Sequence, residues 1–148
     1  MDLPTILSSG VVAGLVAALV TLRTTERKIA IENITQQRQV WREKIRELAQ
    51  RIKDSYQKKD KDDLLSQYVE LQLLLNPDDK NDKSILDTVW EMLKEEKNEL
   101  HIELAEKLAL LLKHDWERAK LEAKPLWYKL KSVKRVSYED FTKKRINS

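Results

Sequence analysis

Two histidines, His101 and His114, are the side chains best suited to proton transfer near neutral pH. Each has carboxylates at helical spacing, Glu103 and Glu106 beside the first, Asp115 and Glu117 beside the second. The two imidazoles are 13 residues apart on one expected helix, too far to share an ion within a subunit. Neither sits in a His-Glu-x-x-His pattern, so surface or packing roles are expected for both. Cysteine is absent, which removes disulfides, zinc fingers and thiol catalysis. Both glycines, Gly10 and Gly14, fall in an apolar N-terminal run, so there is no glycine-rich phosphate loop. The acidic stretch Asn76, Asp78, Asp79, Asn81 and Asp82 has the oxygen ligands of a calcium loop. It lacks the spacing and the closing bidentate glutamate of an EF-hand, and turn and capping roles fit it better. The chemistry therefore points away from an enzyme, a metal or a cofactor.

What remains must be done by helices. With 2 Gly, 3 Pro, 6% aromatics and 36% charged residues among 148, the composition is that of long helices, and the fold class expected is all-α. Residues 3–22 carry no charge, and about 30 Å of helix is enough to cross a hydrocarbon core. Only Asp2 precedes the run, which argues against a cleaved signal peptide. Arg23, Arg27 and Lys28 follow it. The positive-inside rule then puts the N-terminus outside a cell inner membrane and the rest of the chain in the cytoplasm, where the sequon Asn33-Ile34-Thr35 would go unused. Gly10, Gly14 and Ala18 recur every four residues, with Ser9, Ala13 and Ala17 beside them. Such small-residue rows let helices approach closely in lipid, so self-association is expected. The run holds no ionisable group, and any pore would need several copies.

Three parts are expected: a transmembrane anchor at 1–23, a cytosolic bundle of about three long helices at 24–123, and a basic aromatic tail at 124–148. The first helix should run on to residue 57, with Ile34, Trp41, Ile45, Leu48, Ile52 and Tyr56 as its apolar stripe and Glu47–Arg51 as an i,i+4 pair. A second helix is expected over 63–75, capped by Asp62 or Asp63, with Leu64, Leu65, Tyr68, Leu71, Leu74 and Leu75 inward. Asn76-Pro77-Asp78-Asp79 stops it, and Asp82 opens a third helix to 123. That helix would bury Ile85, Val89, Trp90, Leu93, Leu100, Leu104, Leu108, Leu111, Leu112 and Trp116, with room for a break at 94–98, where apolar residues are missing. Residues 23–123 carry a net charge of −2 and residues 124–148 one of +6, so the basicity belongs to the tail and gives no strong nucleic-acid signal. Trp127, Lys129, Lys131, Lys134 and Arg135 suit an anionic lipid surface or an acidic partner, and a docked segment with solvated lysines explains them equally well. Thr142 to Ser148 should be mobile.

Three segments stand out: residues 34–46 around Trp41, Arg42 and Arg46; residues 75–82 with Asn76, Asp79 and Asp82; and residues 112–120 with Trp116, Glu117 and Arg118. Together they resemble a group of small bacterial single-pass membrane proteins with a helical cytosolic domain. The resemblance implies a shared fold and no reaction. Trp41 and Trp116 read as apolar anchors, Arg42, Arg46 and Glu117 as pairing groups between helices or subunits, and Asn76 with the two aspartates as a turn. In layout the chain is also distantly similar to the membrane accessory protein of type VI CRISPR systems, an oligomeric membrane pore of antiviral defence with a body likened to the HEPN helical fold. HEPN nucleases carry Arg-x(4–6)-His, and no arginine lies five to seven residues before His101 or His114. The function expected is an oligomeric membrane effector or pore in bacterial antiviral defence. The alternative is a membrane-tethered scaffold for a cytosolic protein. In either case the partners are a lipid bilayer and further copies of the chain.

Overall fold

Between Pro4 and Pro77 no proline interrupts the chain, and one helix, α1, spans Leu3–Lys58. Pro4 falls in its first turn, where the missing N–H has no helical partner to lose. The computed structural model describes the backbone of residues 3–95, 97, 99–122 and 132–147, and within these the side chains of all but 3–9 and 30. Every described element is a helix: α1, then α2 (Lys61–Leu74), α3 (Lys80–Lys94), α4 (Leu100–Glu122) and α5 (Tyr138–Ile146). The chain divides into two units, Met1–Gln39 and Val40–Ser148.

The first unit is the N-terminal part of α1. From Val11 to Leu22 its aliphatic side chains are more than half exposed. A Cβ added at Gly10 or at Gly14 would meet no atom within 4 Å. Among the described residues no helix is long and apolar enough to cross a membrane. The uncharged run begins at Leu3, and its side chains are described from Gly10 onward.

The second unit is a four-helix bundle. The rest of α1 ends in a Schellman motif: Lys59 adopts φ 59°, its N–H reaches the Tyr56 carbonyl at 3.2 Å, and the Asp60 N–H reaches Ser55 at 3.0 Å. Asp60, and not Asp62 or Asp63, caps α2, accepting the Asp63 N–H. The expected single third helix is two helices. Glu95 is extended (φ −128°, ψ 140°) and ends α3. The sequence of residues 95–99 offers nothing apolar to bury, so no hydrophobic stripe carries the helix past Glu95. Paired residues run in opposite order on neighbouring helices. Arg51 and Ser55 of α1 reach Glu70 and Asp63 of α2. Ser84 and Thr88 of α3 contact Lys107 and Glu103 of α4. Arg42 and Tyr56 of α1 meet Asp115 and His101 of α4. With the short α2–α3 connection, this is an up-down-up-down arrangement.

Burial of the apolar stripes holds the bundle together. Ile45, Leu48, Ile52, Leu71, Ile85 and Val89 are 0–1% exposed. Fully burying such a side chain contributes roughly 1.5–3 kcal/mol. Four residues expected on the apolar stripes lie outside the core: Ile34, Leu65, Trp90 and Trp116 are 48%, 46%, 42% and 55% exposed. Leu65 sits about 100° around α2 from the buried Leu64, which takes it off the inward face. The expected Glu47–Arg51 pair gives way to Arg51–Glu70 at 3.0 Å, which ties α1 to α2. Gln67, 1% exposed, donates to Ser55 Oγ (2.8 Å) and Asp63 Oδ2 (2.7 Å) and fixes the same pairing from inside.

The C-terminal residues also depart from expectation. Ser137 caps α5 by accepting the Asp140 N–H, and residues 142–146 of the stretch expected to be mobile are helical.

Candidate functional site

At one end of the bundle the three singled-out segments come together. The Trp41 indole N–H donates to the Leu74 carbonyl at 3.0 Å, satisfying an acceptor left open at the end of α2. Beside it, Arg42 Nε donates to Asp115 Oδ2 at 2.6 Å, with the two side chains 15% and 14% exposed. The Arg42 guanidinium also lies 5.6 Å from the centre of the Trp116 ring. The first and third segments therefore meet through Arg42, Asp115 and Trp116. Glu117 does not join them, pairing along α4 with Lys120 at 2.6 Å. Arg118 likewise pairs with Glu122 on the same helix at 3.7 Å. Arg46 is exposed on another face.

The second segment forms the turn before α3. Asn76 Oδ1 accepts the Asp78 N–H (3.0 Å), an Asx turn. Asp79 is the N-cap and accepts the Asn81 and Asp82 N–H groups at 2.8 and 3.1 Å. Asp82, expected to start the helix, lies inside its first turn, and its Oδ2 accepts the Asn76 N–H at 2.8 Å. Onto this turn comes Arg135. Its Nη1 is 2.6 Å from Asp82 Oδ1 and 3.1 Å from Asp79 Oδ1. The Arg135 side chain is 10% exposed and that of Asp82 7%. Of the two expectations for the tail, Arg135 follows the docked one, as an internal ion pair with two carboxylates that the turn draws inward. Lys134 beside it is exposed. Trp127, Lys129 and Lys131 lie outside the described residues, as does the side chain of Ser9.

Charge and burial set the electrostatics here. Burial pushes the Asp79 carboxyl up, but the Asp82 N–H, Arg135 and the Asn81 N–H together outweigh it and hold it below its ordinary value. His114 on α4 is driven below its ordinary value, first by burial and then by Arg135 and Arg118, against the opposing pull of Asp79 and Asp115. Among the described residues its Nδ1 and Arg135 Nε have no hydrogen-bond partner. His114, expected to have a surface or packing role, lies close enough to this cluster for Arg135 and Asp79 to act on its charge, and its neutral form is favoured.

A second polar cluster was not anticipated from the sequence. Lys107 is 9% exposed. Its Nζ reaches Thr88 Oγ1 at 2.7 Å, the Ser84 carbonyl at 3.1 Å and Glu103 Oε1 at 2.6 Å. It also lies 5.2 Å from the centre of the Tyr138 ring. Tyr138 donates its O–H to Glu106 (3.0 Å), and Arg145 closes on the same carboxylate at 2.6 Å. Burial, then the bond to Glu106, pushes the Tyr138 phenol up to about 12. The signal in the sequence was a lysine at stripe spacing between Leu104 and Leu111. Between the clusters, Ser84, Lys107, Arg135 and Tyr138 line a void of about 10 Å³, the size of a single water.

These groups lock helices together. Among the described residues no group of three or more His, Asp or Glu side chains is placed to hold a metal ion. His101 instead packs 6.5 Å from the ring of Tyr56. The Tyr56 hydroxyl donates to the Glu95 and Lys97 carbonyls and pins the α3–α4 connection. No family model, no curated protein and no solved structure matches the chain.

Proposed function

We propose that this chain is an oligomeric membrane effector, anchored by residues 3–22 and carrying a helical body at 40–147. The observation that carries the reading is the run of 20 uncharged residues within α1, followed at once by Arg23, Arg27 and Lys28. Two features of α1 suit lipid. Thr21, a hydroxyl inside the run, donates back to the Ala17 carbonyl at 2.8 Å, so its donor needs no water. Gly10 and Gly14 present open backbone to a neighbouring helix. The flanking charges orient the body toward the cytoplasm. The resemblance to small bacterial membrane proteins, and more distantly to a pore-forming defence accessory, supports an effector role in antiviral defence.

The test is expression of the full chain with three readouts. Alkaline carbonate should leave the protein in the membrane pellet, and Val16→Arg, which costs about 2.5–3.5 kcal/mol at a helix centre, should release it. In detergent, light scattering should give a multiple of 17.4 kDa. Reconstituted vesicles should leak a small dye. A carbonate-soluble wild-type chain would overturn the anchor, and a detergent monomer would overturn the assembly. An oligomer that leaks nothing would overturn the pore and leave a tethered scaffold.

A further inference from the structure

The bundle carries an apolar groove on one face and an apolar ridge on another. The groove runs between α1 and α4 and encloses about 270 Å³. Leu104, Leu108 and Leu112 line it, and Ala49, Ala105 and Ala109 lower its floor. Its volume falls below the range of small-molecule sites. Its length, from His101 to Leu112, is about 16 Å, and such a shape suits the side chains of a helix. Arg46 and Lys53 stand on the α1 rim, seven residues and so two turns apart. Both are exposed, and neither makes an ion pair among the described residues.

The ridge is on α2. Leu65, Val69 and Leu73 are 46%, 50% and 82% exposed and recur every four residues. That is the i±4 row that packs into grooves between helices, and it is about 12 Å long. On one flank of this row stand Asp62 and Glu70, eight residues apart on the same edge of the helix. Asp62 makes no ion pair among the described residues, and Glu70 shares Arg51 at 3.0 Å. Two carboxylates about 12 Å apart beside a ridge match two cations about 10 Å apart beside a groove.

We infer that the α2 ridge of one copy of this chain seats in the α1–α4 groove of another, with Asp62 and Glu70 against Arg46 and Lys53. The contact is head-to-tail. The pair keeps one unused groove on one copy and one unused ridge on the other, so assembly proceeds beyond a dimer. Three aliphatic side chains make a small interface, below the roughly 800 Å² per partner of a stable complex. The contact is therefore weak in dilute solution and gains from any second contact that concentrates the copies. Both surfaces lie within residues 40–112, so the inference stands apart from the membrane reading.

The chain has no cysteine, which makes cross-linking clean. Full-length protein in detergent carries Ala109→Cys in the groove or Val69→Cys on the ridge, the two versions differing in tag mass, and is treated with a short bismaleimide. The mixture should give a heterodimer band, each version alone should give none, and the double variant should give a ladder. Leu73→Glu, at an open position that the fold does not need, should remove the bands. Arg46→Glu with Lys53→Glu in the groove version should lower the yield about tenfold, and Asp62→Lys in the ridge version, which leaves the Arg51–Glu70 pair intact, should restore part of it. Groove-to-groove bands from A109C alone, or a yield indifferent to these charges, would overturn the contact. Missing bands from a protein that still scatters as an oligomer would also overturn it, while leaving assembly through the anchor intact.

Discussion

Replacing Arg135 by Met keeps most of the side-chain volume and removes only the guanidinium. Asp82, 5% exposed, is left with the Asn76 N–H and faces Asp79 with no cation between them. Removing one member of a buried ion pair costs about 3–5 kcal/mol. Asp79 keeps a third of its side-chain exposure and can turn toward water, so the lower end applies. For a chain of this size about 3 kcal/mol lowers the melting temperature by about 10 °C. Calorimetry of wild type and R135M measures it directly. Adding Asp82→Asn should recover part of the loss, because the stranded charge goes with it. The pH dependence gives a second reading. Asp79 sits below its ordinary value of 3.8, so its contribution is full above that pH and disappears as pH falls through the folded value. Part of that depression comes from Arg135. The gap between wild type and R135M should therefore narrow below about pH 4. A melting change under about 2 °C, or a gap that widens in acid, would refute the reasoning.

Other outcomes follow from the same contacts. His114 is depressed below 6.5, so its neutral form stabilises the fold above that pH and the stability falls as pH drops through the folded value. His114→Gln should flatten the stability profile between pH 7 and 5, and an unchanged slope would count against the burial of His114. The Tyr138 phenol is pushed up to about 12, so stability should fall as pH rises from 10 to 12, and ultraviolet titration should show a late phase that Tyr138→Phe removes. Lys107→Met removes the charged bonds to Thr88 Oγ1, the Ser84 carbonyl and Glu103, while Thr88 keeps its own bond to the Ser84 carbonyl, and should cost about 2 kcal/mol in urea denaturation. Lys59→Gly relieves a left-handed backbone and should add about 1 kcal/mol by the same assay.

Local signals made most of the helices legible. Ile45, Leu48 and Ile52 step by three and four and are all buried, and Pro77 ends α2 where its missing donor requires. The gap in apolar residues at 94–98 marked the α3–α4 break. Leu65 was misplaced because two adjacent leucines cannot both face one core, and nothing local says which one turns outward. The sites were harder to read. Asp79 and Asp82 were readable as a turn, but the cation that completes them lies 56 and 53 residues away. A lysine-rich tail gives no local reason for one arginine to turn inward. Lys107 was hidden for a related reason: its acceptors are a carbonyl and a hydroxyl on α3, and backbone acceptors leave no trace in composition.

The reach of Arg135 also sets an order of events during synthesis. Asp82 leaves the ribosome 53 residues before the arginine that neutralises it. At about 5–20 residues per second, roughly 3–10 s pass with α3 made and its capping turn carrying two uncompensated carboxylates. A nascent chain stopped between residues 123 and 134 has α1 to α4 of the bundle and lacks the clasp. The capping turn of α3 is therefore neutralised only after Arg135 has been made, by a residue translated well after the turn itself.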